Sequence, residues 1–181
     1  MHQTGKAFFP PNGEISGNDN PQAKGVSSMV ARGMKLRAKK THAPRKARPR
    51  TKTIKQKEFI PVTPVEIYDA LLNEQKHSAF TGAKATCDRR VGGKFTAWDG
   101  YISGKNIRLE NGRRIIQEWQ TTEWPEGYAP SLIEFTFTPK AGGTEVRLTQ
   151  KNVPAAQAEN YKQGWVDYYW TPLKKYFQSK K

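Results

Sequence analysis

The last part of the chain, residues 154–177, reads PAAQAENYKQGWVDYYWTPLKKYF. Large apolar residues recur in it every three to four positions, the spacing that places side chains on one face of an α-helix. They are Tyr161, Trp165, Tyr168 or Tyr169, Pro172 or Leu173, and Tyr176 or Phe177. The spacing predicts a long amphipathic helix, bent or broken at Pro172 because proline has no N–H to donate. A helix with an aromatic face needs an apolar surface to pack on.

The 70 residues before this helix are typical of an antiparallel meander. Turn-forming pairs stand at residues 92–93, 99–100, 111–112 and 142–143, and a proline-bounded loop spans residues 125–130. The strands between them are expected at residues 85–89, 94–98, 101–110, 113–122, 132–138 and 144–151. Ile133, Phe135 and Phe137 share one face of their strand, and Val146 and Leu148 do so in the next. These strands therefore bury one face and leave the other in water.

The segment before the meander predicts a strand followed by two helices. Residues 53–60 alternate as a strand does and are followed by a proline, which is typical of an edge strand. Thr63 is placed to cap a helix, with Pro64 at the first helical position and Glu66 three residues after the cap. A second short helix is expected at residues 74–80.

Together these elements predict an α+β domain. A curved antiparallel sheet of six to seven strands wraps around the long C-terminal helix, and two short helices follow the first strand. The domain is expected at residues 53–181, because all five Trp and all seven Tyr lie there. A segment of that size buries roughly two-thirds of its unfolded surface, which is enough to fold alone. Residues 1–52 are expected to form a separate tail.

The tail has 12 basic and 2 acidic side chains, in a chain whose formal charge is +15. Residues 31–57 contain 12 Lys or Arg and no acid, so disorder is expected in the tail. A cationic segment of this kind attracts polyanions by releasing counterions, which makes nucleic acid a candidate partner. The candidate contact residues are Arg37, Lys39, Lys40, Arg45, Lys46, Arg48 and Arg50.

Other interpretations of the tail stay open. One interpretation is a solvated extension without a partner. Another is that translation starts at Met29 or Met34, so that the residues before it are not part of the protein. A third interpretation is an organelle transit peptide, which Glu14 and Asp19 argue against because such peptides contain few acids.

The single cysteine favours a reducing compartment, and the hydropathy of the sequence indicates neither a membrane span nor a secretory signal. Cys87 is the single cysteine, so no internal disulfide is possible, and it is expected to be a small buried hydrophobe. No apolar run approaches the roughly 18 residues of a membrane span, and the first 30 residues lack the apolar stretch of a secretory signal. A cytoplasmic protein without a membrane span is expected.

Few residues are typical of a catalytic site. His2 and His42 lie in the tail, so His77 is the one histidine of the domain and no multi-histidine metal site is expected. We expect His77 to be exposed or to cap a helix. The glycines match no phosphate loop, and Ser103 stands one place late for a nucleophile elbow. The sequence therefore predicts a protein that is not an enzyme and has neither a metal nor a cofactor.

Several short motifs, taken in order, resemble one known family. They are FTAWDGYISG at 95–104, RIIQEW at 114–119, EWPEG at 123–127, GTEV at 143–146, NVP at 152–154, GW at 164–165 and YWTPL at 169–173. Across about residues 53–179 the chain resembles the domain typical of activators of the 90-kDa heat-shock protein ATPase. That family belongs to the SRPBCC, or START-like, helix-grip superfamily.

The resemblance implies a chaperone-linked or stress-response module with the 90-kDa heat-shock chaperone as its partner. Full-length activators have an additional N-terminal domain that supplies much of the chaperone contact, and the basic tail does not resemble it. Whether ATPase stimulation survives without that domain stays open. Relatives in the superfamily hold lipids or other apolar ligands between helix and sheet, so the resemblance also implies a small hydrophobic-ligand binding protein as an alternative.

The aromatic content favours either such a cavity or a core that fills it. Trp and Tyr combine apolar surface with polar tips that need hydrogen-bond partners, and ligand pockets use both. The candidate cavity residues are Trp98, Tyr101, Glu118, Trp119, Trp124, Phe135, Tyr161, Trp165 and Tyr169, with Gln117 and Thr136 as further hydrogen-bonding groups. Glu118 needs a partner such as Arg114 or a ligand if it points inward, and is an ordinary surface charge if it points outward.

Overall fold

A computed structural model describes residues 49–180. Of the candidate polyanion contacts, Arg50 is exposed and lies within this range, and the other six lie outside the described residues, as do His2 and His42. The elements are β1 (Thr51–Ile60), α1 (Pro64–Leu72), α2 (Glu74–Thr81), β2 (Thr86–Cys87), β3 (Lys94–Ala97), β4 (Ile102–Glu110), β5 (Arg114–Thr121), β6 (Ser131–Lys140), β7 (Gly143–Pro154), α3 (Ala158–Trp165), a π-helical segment (Val166–Trp170) and α4 (Thr171–Gln178).

The seven strands form one antiparallel sheet in the order β1-β7-β6-β5-β4-β3-β2. The curved sheet packs against the C-terminal helix, and the two short helices follow β1, which confirms the predicted α+β architecture. β1 is an edge strand, as its terminal proline indicated. It begins at Thr51, two residues before the predicted strand.

The start of α1 follows from its sequence. Thr63 is the N-cap, and its Oγ1 accepts a hydrogen bond from the Glu66 backbone N–H at 3.4 Å. The Glu66 carboxylate in turn accepts the Thr63 backbone N–H at 2.9 Å, which completes a capping box ahead of Pro64. Reciprocal bonds of this kind satisfy backbone donors that the helix itself leaves unpaired.

Two strands differ in length from their predicted ranges. β2 contains only Thr86 and Cys87, because the chain turns at Asp88, whose carbonyl accepts the Arg90 N–H at 2.8 Å. β7 continues to Pro154, where it pairs with the first residue of β1, although the predicted strand ended three residues earlier.

The C-terminal helix continues from residue 158 to residue 178 with one wide turn inside it. The residues Val166–Trp170 are π-helical, and the Thr171 N–H donates to the Val166 carbonyl five residues back. Pro172, the second residue of α4, cannot donate a hydrogen bond, so the wide turn precedes it and the chain stays helical. The predicted interruption at Pro172 is therefore a local widening.

Both faces of the sheet follow the alternation of the sequence. In β6, Ile133, Phe135 and Phe137 are buried toward the helix, and the residues between them face outward. On β1, Gln56 holds the helix directly, because its Oε1 accepts the Trp170 Nε1–H at 2.7 Å. Its Nε2 donates to the Lys162 carbonyl, also at 2.7 Å.

Candidate functional site

Aromatic rings fill the space between helix and sheet. The ring centroid of Trp119 on β5 lies 5.1 Å from that of Tyr161 and 5.9 Å from that of Trp124. Trp165 lies 6.1 Å from Trp119 and 4.5 Å from Tyr169. These pairs meet edge to face or tilted, which suits the charge distribution of aromatic rings. One connected cluster therefore joins β5 to the helix.

Buried polar side chains of the sheet bond to the tips of these rings. Trp165 Nε1–H donates to Gln150 Oε1 at 2.8 Å, and Gln150 Nε2 donates to Ser131 Oγ at 2.9 Å. Ser131 Oγ then donates to the Trp119 carbonyl at 2.8 Å. Gln150 and Ser131 are both completely buried. A paired buried network of this kind fixes the position of the helix on the sheet.

A small cavity remains among the rings. Its volume is about 30 Å³, and Trp119, Phe135, Trp165, Tyr169 and His77 are among the residues that line it. A single water needs roughly 10–15 Å³ of such space, so the cavity has room for about two waters. Pockets that hold small organic ligands measure about 300–1,000 Å³. A lipid-sized ligand enters only if the rings move apart.

Eight of the nine candidate cavity residues lie in this interior or at its rim. Trp119, Phe135, Trp165 and Tyr169 line the cavity, Trp98 and Tyr161 are buried beside it, and Tyr101 and Trp124 are half-buried. Burial raises the pKa of the Tyr169 phenol, and a hydrogen bond with Trp98 opposes that rise.

Glu118 is the exception, and its place among the cavity candidates is corrected. It alternates with buried neighbours on β5, so its side chain faces outward and is 41% exposed. Its carboxylate lies 3.3 Å from the ammonium of Lys105, the residue opposite it on β4. Arg114, the partner considered for an inward carboxylate, pairs with Glu134 instead, and Thr136 also faces outward opposite Arg114.

His77 caps a helix from a half-buried position. Its Nδ1 lies 3.0 Å from the carbonyl oxygen of Leu71 in the last turn of α1, so the ring donates to a carbonyl that the helix leaves unpaired. Nε2 is then an acceptor, and it is buried without a hydrogen-bond partner among the described residues. Burial lowers the pKa of His77, and the bond to Leu71 opposes that change. The expected capping role is observed, and the side chain is half-buried.

The interior also contains a pair of hydrogen-bonded amides, Gln117 and Asn106, of which the sequence predicted only Gln117. Gln117 Nε2 donates to Asn106 Oδ1 at 2.8 Å, and Asn106 Nδ2 donates to the Asp88 carbonyl at 2.8 Å. A bulge after Asn106 in β4 accompanies this inward placement. Cys87 lies 3.8 Å from the Asn106 amide as a half-buried free thiol, and burial raises its pKa. A raised pKa disfavours the reactive thiolate.

Two connections meet at one end of the sheet, and we call them the loop end: residues 98–101 between β3 and β4, and residues 122–130 between β5 and β6. The Thr122 N–H donates to the Tyr101 carbonyl at 2.9 Å, and the Tyr101 hydroxyl donates to a Glu123 carboxylate oxygen at 3.0 Å. Gln157, just before α3, donates to the Glu123 carbonyl at 3.1 Å. The loop end is therefore tied to the base of the C-terminal helix.

The turn at residues 98–101 has an unusual backbone. Trp98 and Asp99 have φ values of 54° and 55°, in the left-handed region that bulky residues seldom occupy. The Asp99 N–H donates to the Lys84 carbonyl at 3.1 Å, and the ring of Trp98 meets that of Tyr168 edge to face at 5.4 Å. Backbones of this kind cost about 1–3 kcal/mol each and occur often at binding sites.

Burial also changes the acidity of Tyr101 in the loop end and of Tyr161 on α3 beneath it. It raises the pKa of Tyr161 to about 12, although a hydrogen bond with Thr121 at 2.8 Å opposes the rise. The pKa of Tyr101 is raised by burial and then by its hydrogen bond to Glu123. Both hydroxyls are therefore neutral groups near pH 7.

Comparison with known proteins gives the family. The family model described as "Activator of Hsp90 ATPase homolog 1-like protein" matches residues 61–178. The chain belongs to this family. Its relatives include activator of 90 kDa heat shock protein ATPase homolog 1 of Homo sapiens, 36% identical over 121 residues that cover 67% of this chain and 36% of that protein. The Dictyostelium discoideum homolog is 34% identical over 119 residues, which cover 65% and 31%.

The chain therefore spans about a third of the length of these curated activators. Among solved structures, an HSP90 activator from Plasmodium falciparum superposes with a TM-score of 0.65 at 24% identity, covering 70% of this chain and 96% of that one. A protein from Mesorhizobium loti superposes with a TM-score of 0.62 at 20% identity, covering 72% and 99%. At these identities the superpositions show the fold, which is the helix-grip fold of the activator family.

Two of the motifs that resemble the activator family, AWDGY and EWPEG, form most of the loop end. Within residues 49–180 no group of three or more His, Cys, Asp and Glu side chains is arranged to hold a metal ion. In the same range, none of the helices combines the length and apolar character that crossing a membrane requires.

Proposed function

We propose that this chain is a non-enzymatic binding module that docks on the 90-kDa heat-shock chaperone through its loop end. The observation that carries the proposal is the pairing of a filled interior with a loop end built from motifs of the activator family. With only about 30 Å³ free inside, the module acts through its surface.

The loop end has the composition of a docking surface. Trp124 and Tyr128 are half-buried there, and Trp and Tyr are enriched at the centres of protein interfaces. Residues 98–101 and 122–130 contain three acids, Asp99, Glu123 and Glu126, and no base. An anionic aromatic surface suits a partner surface that is basic and partly apolar.

The contacts beneath the loop end hold it in one shape. Trp124 stacks on Tyr161 with ring centroids 5.9 Å apart, and its Nε1–H donates to the Ala129 carbonyl at 3.0 Å. A preorganised loop loses little conformational entropy on binding, so more of the contact energy appears as affinity.

The test is a titration of the full chain against the purified chaperone by isothermal calorimetry. Glu126 is exposed, so Glu126→Lys changes the surface without touching the core. We expect it to weaken binding about tenfold, in line with reversal of a charge at an interface. The matched control is Glu159→Lys, which reverses the charge of an acid on α3 that is also exposed. Absence of a complex at micromolar concentration, or equal losses for both variants, refutes the proposal.

The chaperone ATPase rate is measured in the same samples. A complex without a change in rate assigns binding without activation, which is consistent with a chain that spans a third of its relatives.

The small hydrophobic-ligand alternative stays a prediction. It requires Trp119, Trp165 and Tyr169 to separate, since they line the cavity of about 30 Å³. A thermal shift of several degrees with one member of a lipid panel supports it, and a flat response across the panel argues for a filled core.

A further inference from the structure

The outer face of the sheet, which points away from the C-terminal helix, is strongly basic. Strand register and alternation place nine basic and four acidic side chains on it. The basic ones are Lys55, Lys57, Lys94, Lys105, Arg108, Arg114, Lys140, Arg147 and Lys151; the acidic ones are Glu110, Glu118, Glu134 and Glu145. Each of the four acids lies within 4.0 Å of at least one of these bases. The bases outnumber the acids, so the outer face keeps a net positive charge.

Most of this excess lies where β1 and β7 pair. Lys57 is directly opposite Arg147, and Lys55 and Lys151 extend the same two strands on the same face. All four are exposed, and Glu145 is the single acid beside them. We call these four basic residues the basic corner. The Glu145 carboxylate is shared by two residues of the corner, since it lies 2.8 Å from Arg147 and 4.0 Å from Lys57.

The side chains of the corner border a shallow, open depression over the paired strands. Its volume is about 400 Å³, and Lys55, Lys57 and Arg147 are among the residues that line it. Lys55 and Lys57 are two residues apart on one face of β1, about 7 Å, and Arg147 lies opposite Lys57, so three cationic groups lie close together. A linear polyanion meets several of these charges at once.

The basic corner continues the basic run of the sequence. Lys55 and Lys57 are the last two of the 12 basic residues in the acid-free run 31–57, and Arg50 and Lys52 precede them. β1 thus brings the end of the run into the folded sheet, where Arg147 and Lys151 add charges from a distant part of the sequence.

We propose that the basic corner binds the phosphate backbone of nucleic acid. The contacts are phosphate contacts, which position a nucleic acid without reading its sequence. Phe59, 47% exposed on β1, is the one large exposed apolar residue of the described part beside the corner. Insertion into a lipid surface uses a wide apolar face, which the corner lacks.

This proposal does not rest on the chaperone. The loop end carries three acids and no base, whereas the corner carries four bases and one acid, so the two surfaces select partners of opposite charge. A chain that fails to bind the chaperone and still binds nucleic acid separates the two proposals.

The test measures fluorescence anisotropy of a labelled 20-base-pair duplex with the full chain, at KCl concentrations from 50 to 300 mM. The corner variant replaces Lys55, Lys57, Arg147 and Lys151 by Gln. The matched control removes four exposed lysines that lie off the outer face: Lys84, Lys162, Lys175 and Lys180. Both variants lower the net charge equally, so long-range attraction changes equally.

Each phosphate contact contributes about −0.9 to the slope of log K against log salt. We expect the slope of the corner variant to be less negative by about 2 to 4, and that of the control to match the unmodified chain within about 1. Equal slopes for the two variants overturn the proposal. So does binding to vesicles of anionic lipid without binding to the duplex.

Correct folding of the variants is checked independently. All replaced residues are exposed, and far-ultraviolet circular dichroism should match that of the unmodified chain. A second corner variant with Arg at the three lysine positions keeps the charge and should keep the slope. Loss of slope in that variant shows that a specific shape, and not phosphate contact, is responsible, which also overturns the proposal.

Discussion

Replacing Gln150 by Leu should lower the free energy of unfolding by about 2 kcal/mol, although leucine has a similar volume and is more apolar. The change leaves Trp165 Nε1–H without its acceptor at 2.8 Å and Ser131 Oγ without its donor at 2.9 Å. A buried polar group deprived of its partner costs about 1–3 kcal/mol. Ser131 keeps its bond to the Trp119 carbonyl, so the indole N–H accounts for most of the loss.

The magnitude is isolated with a double-mutant cycle. Trp165→Phe removes the indole donor, so Gln150→Leu should cost less in that background than in the unmodified chain. We expect a coupling energy of about 1–2 kcal/mol between the two positions, within the range for residues in contact.

Urea unfolding followed by circular dichroism at 222 nm gives the four free energies, and the slopes with urea should agree among the variants. Gln120→Leu is the control, because Gln120 faces outward on β5 and is only half-buried. Additivity of the two changes within about 0.5 kcal/mol refutes the reasoning, because it shows that the bond does not fix the helix on the sheet.

Three further predictions concern the close backbone approach at Gly104, the helix cap at Thr63 and the pH dependence of stability at His77. Gly104→Ala should destabilise the fold by about 1–3 kcal/mol in urea, because a Cβ there would clash with the backbone carbonyl oxygen of Glu118 and lie 2.6 Å from the ring of Phe95. Thr63→Ala should cost about 1 kcal/mol in the same measurement, since it removes the cap bonded to Glu66. Stability should be flat above about pH 6.5 and fall toward pH 5, because burial lowers the pKa of His77 and only the unfolded chain gains its proton there.

Each of these predictions has a matched control. Ser103→Ala, next to Gly104, adds no atom and should cost less than Gly104→Ala. Thr63→Ser keeps the capping oxygen and should retain most of the stability. His77→Gln should abolish the loss between pH 6.5 and 5, and persistence of the loss in that variant assigns it to other groups.

Local signals in the sequence were enough to place most of the fold. The cap at Thr63, the alternation around Phe135 and the aromatic spacing after Pro154 each depend on residues close in sequence, and each element was found where its pattern indicated. The short β2 was overestimated, because its end depends on a turn at Asp88 that closes against Asn106, 18 residues later.

The candidate site was less predictable because its contacts join distant parts of the chain. The bond between Gln150 and Trp165 needs the register of helix against sheet, which no local pattern encodes. The alternation of β7, which continues inward from Val146 and Leu148 to Gln150, is the one local signal that places Gln150 in the interior. Glu118 was included among the cavity candidates with its direction left open, and its own strand pattern places it outside.

The π-helical segment Val166–Trp170 has a consequence for comparing this chain with its relatives. A π turn is equivalent to one extra residue inserted into an α-helix. Deleting one residue there would restore regular α-helical winding and keep Leu173 and Phe177 facing the core, because the wide turn already takes up the extra residue. An alignment with a homologue that lacks the wide turn therefore needs a one-position gap between Trp165 and Leu173, or the buried positions of the two helices will be mismatched.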